Sequence, residues 1–194
     1  MKKSALFSIA LVVISFFSAA GVHAQAFEAG TNVVSAGIGL GSSLASGFTY
    51  GSQSPGFSAS YERGIWEAGP GVISLGGYVG FKTFKYGFID NGGTVESYKW
   101  NYTIIGARGA YHFTGIDVEN LDLYAGVMIA YDNLNFSYTN SAGVTTGYNV
   151  GSYNSGLGVS VFAGARYYFA GNLGVFGELG YGVSILNIGL SYKF

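Results

Sequence analysis

Six ionisable residues are dealt one at a time along the chain. Glu62, Lys82, Arg108, Asp122, Arg166 and Glu178 fall in six successive stretches where large apolar side chains alternate with small ones. Lys193 takes the same place in the last stretch. Each sits on the parity opposite the large apolar residues. Acids and bases that share one face, and through it one enclosed space, should pair, because a buried charge left without its partner costs several kcal/mol. Counting from the shorter links places Glu62, Arg108, Asp122, Arg166 and Glu178 towards one end of that space. The reading expected is a lumen charge network that acts as a salt-bridged plug. A gate or ion path is the alternative.

Other chemistry has little support. His112 is the only histidine beyond the first 24 residues. With Thr114 two positions on, it is faintly similar to the His-x-Ser of a lipid A deacylase. A hydrolase needs a nucleophile, a base and an orienting group within reach, and the sequence places His112 beside a turn. It is expected to be an interfacial polar residue, and no catalytic residue is assigned. One histidine with scattered carboxylates and no cysteine lacks the spacing of a metal site. The segments IGLGSS and GLGVSVFAGAR lack the Gly-Lys-Ser/Thr of a phosphate loop and precede no helix. No cofactor is expected.

The elements that must position the charges are strands. Eight segments alternate with period two: 32–41, 56–64, 71–83, 98–113, 121–131, 156–169, 173–181 and 187–194. Leu123, Ala125, Val127, Ile129 and Tyr131 show the pattern in the fifth. Pro55 and Pro70 fall at segment edges, where strands tolerate proline. The links at 65–70, 114–120 and 170–172 are short, whereas 42–55, 84–97 and 132–155 are long.

Composition decides what the strands build. Charged residues are 10 % of the chain, against about 25 % in ordinary soluble domains. Gly is present 33 times, Tyr 16 and Phe 15. The opening MKKSALFSIALVVISFFSAAGVHAQA has a basic start, a short apolar run and small-x-small sites, the layout of a signal peptide over 1–24, cleaved after 24 or 26. Cleavage removes Lys2 and Lys3 and leaves seven cations against ten acids, a net charge of −3 that argues against a nucleic-acid partner. No later apolar run reaches the ~20 residues of a helical span. Many apolar residues, few charges and a period of two point to an all-β, eight-stranded antiparallel transmembrane β-barrel over 27–194. A soluble sandwich would put Lys, Glu, Asp and Thr on the opposite face, and this face is mostly Gly and Ser. An eight-stranded interior is only just wide enough for side chains, so glycines such as Gly76, Gly126 and Gly164 should make room for the long ones. Tyr50, Trp66, Trp100, Tyr131 and Phe169 are expected in interfacial girdles.

SYERGIWEAGPGVISLGGYVGFKTF, ARGAYHF followed by LDLYAGVMIAYD, and ELGYGVSILNIGLSYKF resemble the small outer-membrane β-barrel proteins of Bacteroidota, porin-like relatives of the OmpA/OmpX-type barrels. The resemblance implies an outer-membrane location after export, with the lipid bilayer as surroundings. It also implies that Tyr192 and Phe194, on an amphipathic last strand, form a C-terminal signal for the barrel-assembly machinery. No peptidoglycan-binding domain is carried over. The expected role is structural or surface-interacting, as a monomer, with a possible surface ligand at loop 132–155. A narrow porin-like passive channel for ions or small solutes is the alternative, and a lipid-modifying outer-membrane enzyme a remote one.

Overall fold

In a chain of period two, one parity must find a common interior, and a sheet closed on itself gives it one. The computed structural model describes residues 26–41, 51–89, 93, 95–116, 118–140, 145–148, 155–180 and 182–194. Its strands are β1 (Asn32–Leu40), β2 (Ser52–Gln53), β3 (Gly56–Glu67), β4 (Gly71–Ile89), β5 (Val95–Phe113), β6 (Leu121–Asn140), β7 (Thr145–Tyr148), β8 (Gly156–Ala170), β9 (Leu173–Gly180) and β10 (Leu186–Lys193). Eight of them close an antiparallel barrel in the order β1, β3, β4, β5, β6, β8, β9, β10. Closure runs from Val33↔Lys193 to Leu40↔Leu186. Asn32 and Phe194 exchange backbone hydrogen bonds of 3.1 and 2.9 Å across that seam. The short strands β2 and β7 pair with β4 and β6.

The two parities part as the sequence requires. Ile38, Phe57, Phe81, Ile105, Ile129, Val159, Leu179 and Leu190 face outward and are half or more exposed. Tyr78, Ile104, Tyr124, Met128, Phe162 and Val183 fill the interior. An exposed apolar belt reaching every barrel strand is far beyond the isolated patches that soluble monomers carry.

The two ends differ. At the turn end the links are tight: Ala68 N donates to Gly71 O at 2.8 Å, with Gly69 and Asn120 at φ 59° and 63°. At the other end β4, β5 and β6 run past their neighbours. The last pairs with the barrel wall are Phe57↔Phe81 and Asp132↔Gly156, yet β4, β5 and β6 continue together to Ile89↔Val95 and Glu96↔Asn140. Eight further residues at ~3.4 Å each raise a wall of ~27 Å above the rim.

This corrects the loop assignments at 84–97 and 132–155, much of which is strand. The pattern does not stop there; it inverts. Outward positions turn polar (Thr83, Lys85, Lys99, Asn101, Asn133, Asn135), with apolar residues returning only at the tip in Ile89 and Val95, and inward ones carry the aromatics. A search for outward apolar residues ends at the inversion.

Candidate functional site in the barrel interior

Six strands contribute to one buried cluster at the turn end. Glu62 comes from β3, Ser74 from β4, Arg108 and His112 from β5, Asp122 and Tyr124 from β6, Arg166 from β8 and Glu178 from β9. All are buried. Asp122 and Arg166 are directly opposite in register. Gly76 lies between Glu62 and Arg108, and Gly164 between Tyr124 and Glu178. With no side chain on the middle strand, the outer two meet across it. A Cβ on Gly164 would stand 2.6 Å from the Tyr124 ring.

The contacts form one chain. Arg108 Nη2 donates to Glu178 Oε2 at 2.6 Å, and Tyr124 Oη donates to the same oxygen at 3.1 Å. Arg108 Nε stands 2.7 Å from Glu62 Oε1, too poorly aligned for a hydrogen bond, so this contact is electrostatic first. Arg166 bridges two acids, donating to Glu62 Oε2 at 2.6 Å and Asp122 Oδ2 at 3.1 Å. The Arg108 guanidinium lies 3.8 Å from the Phe162 ring centroid and that of Arg166 lies 4.3 Å from that of Tyr124, distances at which cation–π attraction adds to the pairs. Between this layer and the far rim, beside Arg108 and Glu178, the interior keeps a void of ≈ 10 Å³, room for about one water.

His112 overturns its assignment as an interfacial residue. It is fully buried, with Nδ1 2.7 Å from Asp122 Oδ1 and Nε2 2.9 Å from Ser74 Oγ. Thr114 is not its partner; that hydroxyl donates to Pro70 O at 3.0 Å. Parity alone could have placed His112 inside, since it shares the face of Arg108. Nothing in the sequence singles out Ser74, which comes near only through the pairing of β4 with β5. Ser74, His112 and Asp122 have the connectivity of a nucleophile, base and orienter, but Ser74 and His112 have no exposed surface.

Phe27 covers them. Its ring stacks on His112 at 3.6 Å between centroids and 6° between planes. The segment before β1 is tied under the barrel by Gly30 N to Gly64 O and Gly64 N to Thr31 O, both 2.9 Å. Lys193 points inward at the same rim, with Nζ donating to Ala26 O at 3.4 Å and lying 4.5 Å from the Tyr168 ring centroid. Nothing in the sequence marks Phe27 as the residue that seals this end.

Other expected site residues lie elsewhere. Lys82 faces the interior but not the network: six residues beyond Gly76 on β4, ~20 Å along the strand, it donates to Gly41 O at 2.8 Å. Tyr192 and Phe194 are outward and exposed, their rings 6.2 Å apart. Trp66, Tyr131 and Phe169 also face outward, and Tyr50 lies outside the described residues. Trp100 does not join an outward girdle. It packs from the inside against Phe84, Tyr102 and Leu134, the layer that fills the upper lumen. Among the described residues no group of three or more His, Cys, Asp or Glu side chains could hold a metal ion.

No protein-family model matches the chain, and no curated protein matches it. Solved structures do. The attachment invasion locus protein Ail of Yersinia pestis, in complex with the heparin analogue sucrose octasulfate, is 14 % identical over 86 % of this chain and 100 % of its own, with a TM-score of 0.47. A designed transmembrane β-barrel is 15 % identical over 86 % of this chain and 98 % of its own, also at 0.47. Neisserial surface protein A is 18 % identical over 84 % and 92 %, at 0.39.

Proposed function

We propose that this chain is an integral outer-membrane β-barrel protein, structural or surface-interacting in role, with its lumen closed by the buried ion-pair network. The observation that carries the reading is the reversal of the usual order of solvents. The outer surface is a belt of large apolar side chains, and the charged groups of the spanning strands are held inside, apart from Arg63 and Glu67 near the turn end of β3. Only a lipid surrounding makes that arrangement favourable.

The rest follows from the two ends. The tight turns and the Phe27 seal face the periplasm, and the tall β4–β5–β6 wall stands outside the cell. Residues 1–24 act as a cleaved export signal. Tyr192 and Phe194, exposed on the outward face of β10, are read by the barrel-assembly machinery. The barrel works as a monomer and as a non-enzyme; the burial of Ser74 supports the second point by leaving that hydroxyl no path for a substrate. A surface ligand would meet the wall formed in part by residues 132–155.

Membrane-impermeant thiol labelling of intact cells tests location and orientation together. Ser97→Cys should label on sealed cells, and Thr114→Cys only after the outer membrane is opened. Labelling of Thr114→Cys on sealed cells, or recovery of the protein in the soluble fraction, would overturn the reading.

A further inference from the structure

Above the rim, the interior-parity face of the wall carries a grid. Cross-strand register sets it in three rows over β4, β5 and β6: Phe84, Trp100, Phe136; then Tyr86, Tyr98, Tyr138; then Phe88, Glu96, Asn140. Tyr98 is its centre. The rings of Tyr138, Phe88, Trp100, Phe136 and Tyr86 stand 5.2, 6.1, 6.2, 6.2 and 6.5 Å from it. Tyr86 and Phe88 are 38 % and 41 % exposed.

Two ordinary explanations fail. These rings are not a lipid girdle, because they lie on the interior parity, and the outward side of the same rows carries Lys85, Ser97, Lys99 and Ser137. Nor do the upper rows fill the lumen. The opposing wall has already ended at Leu40, Gly56, Gly156, Gly180 and Leu186, so no barrel strand among the described residues stands across from them.

The polar groups say what the face fits. The Glu96 carboxylate accepts a hydrogen bond from the Tyr138 hydroxyl, which holds that phenol above its ordinary pKa. Glu96 Oε2 is hidden from solvent and has no hydrogen-bond partner. Asn140 lies beside Glu96 in the register, and the nearest cation of this face is Lys82, at the foot of the wall. A sulfated or phosphorylated polymer would bring negative charge to Glu96 with no cation to receive it. A purely apolar segment would leave Glu96 Oε2 without a donor. A saccharide satisfies both, its C–H faces lying on the rings and its hydroxyls donating to the carboxylate. The two rows above the buried Phe84 cover roughly 10 by 7 Å, from strand spacing and rise, about the footprint of a disaccharide.

We propose that the ring-tiled inner face of the β4–β5–β6 wall, centred on Tyr98 with Glu96 at its edge, is a binding site for an uncharged glycan. The inference rests on the reading that this wall stands outside the cell, and the two are tested apart.

Purified full-length protein, refolded in detergent, would be applied to a printed array of neutral and sulfated saccharides. Its fold would be checked by heat-dependent migration on gels. Retention on neutral oligosaccharides is expected. Tyr98→Ala should weaken it by about tenfold or more, while Lys85→Ala with Lys99→Ala, on the outward side, should leave it unchanged. Retention on no neutral saccharide, retention that follows the sulfated ones, or retention indifferent to Tyr98→Ala each overturns the proposal. Surface labelling of Ser97→Cys that persists in those cases would show that the orientation stands and the glycan site alone has failed.

Discussion

The turn end of the lumen and the wall above the rim are built on one parity of the same three strands, yet they are opposite environments. Below, Ser74, Arg108, His112, Asp122 and Tyr124 are buried and meet Glu62, Arg166 and Glu178 from three other strands. Above, Tyr86, Phe88, Tyr98 and Tyr138 meet mainly one another. What a strand face does is set by what stands across from it. Eight strands around a narrow space turn a charge into half of an ion pair. Above the rim, where no barrel strand among the described residues stands opposite, a ring is left available to something else. Loss of side chains should therefore damage stability below and recognition above.

The largest break in that contrast is expected at Arg166. Its guanidinium holds Glu62 and Asp122 at once, so Arg166→Ala leaves two buried acids short of a partner and should cost about 3–5 kcal/mol. Urea unfolding from lipid vesicles would measure it. Arg166→Ala combined with Asp122→Ala should cost less than the sum of the single changes, whereas additive losses would show the pair uncoupled.

Phe27→Ala comes next. It removes a fully buried ring and uncovers His112, for about 1.5–3 kcal/mol. A smaller loss than that of an exposed outward ring would show that the segment before β1 is not a seal. Phe194→Ala should be milder in refolding, because its ring is 61 % exposed in the structure and lies at the edge of the apolar belt. The same change should lower assembled protein in cells; normal assembly there would leave Phe194 as an ordinary outward residue. Tyr98→Ala should shift unfolding least, by about 0.5–1.5 kcal/mol, the worth of an aromatic contact. A loss comparable to that of Arg166→Ala would erase the distinction between the two regions.

The barrel was legible because period two survives any sequence change that keeps the two solvents apart. Strand number, antiparallel order and the inward face of Glu62, Arg108, Asp122, Arg166 and Glu178 all follow from parity. Three things did not follow. The reach of β4, β5 and β6 was hidden because the apolar parity inverts above the rim, which a search for outward apolar residues reads as loop. The partners of His112 were hidden because Ser74 and Asp122 approach it only through strand register. Phe27 was hidden because it precedes the first strand, where no period constrains it. Parity groups Lys82 with the other charges because it gives the face of a residue and not its height; Lys82 lies on the interior parity well above the network.

In the proposed reading the buried cluster and the Phe27 seal close the lumen. Single-molecule conductance in planar bilayers addresses it most directly, with refolded protein and with an Arg108→Ala, Glu178→Ala variant that removes one pair and the bulk above it. The unaltered chain should give silent traces, with openings only when the cluster is thinned. Steady, well-defined openings of the unaltered chain would contradict it and favour a narrow passive channel.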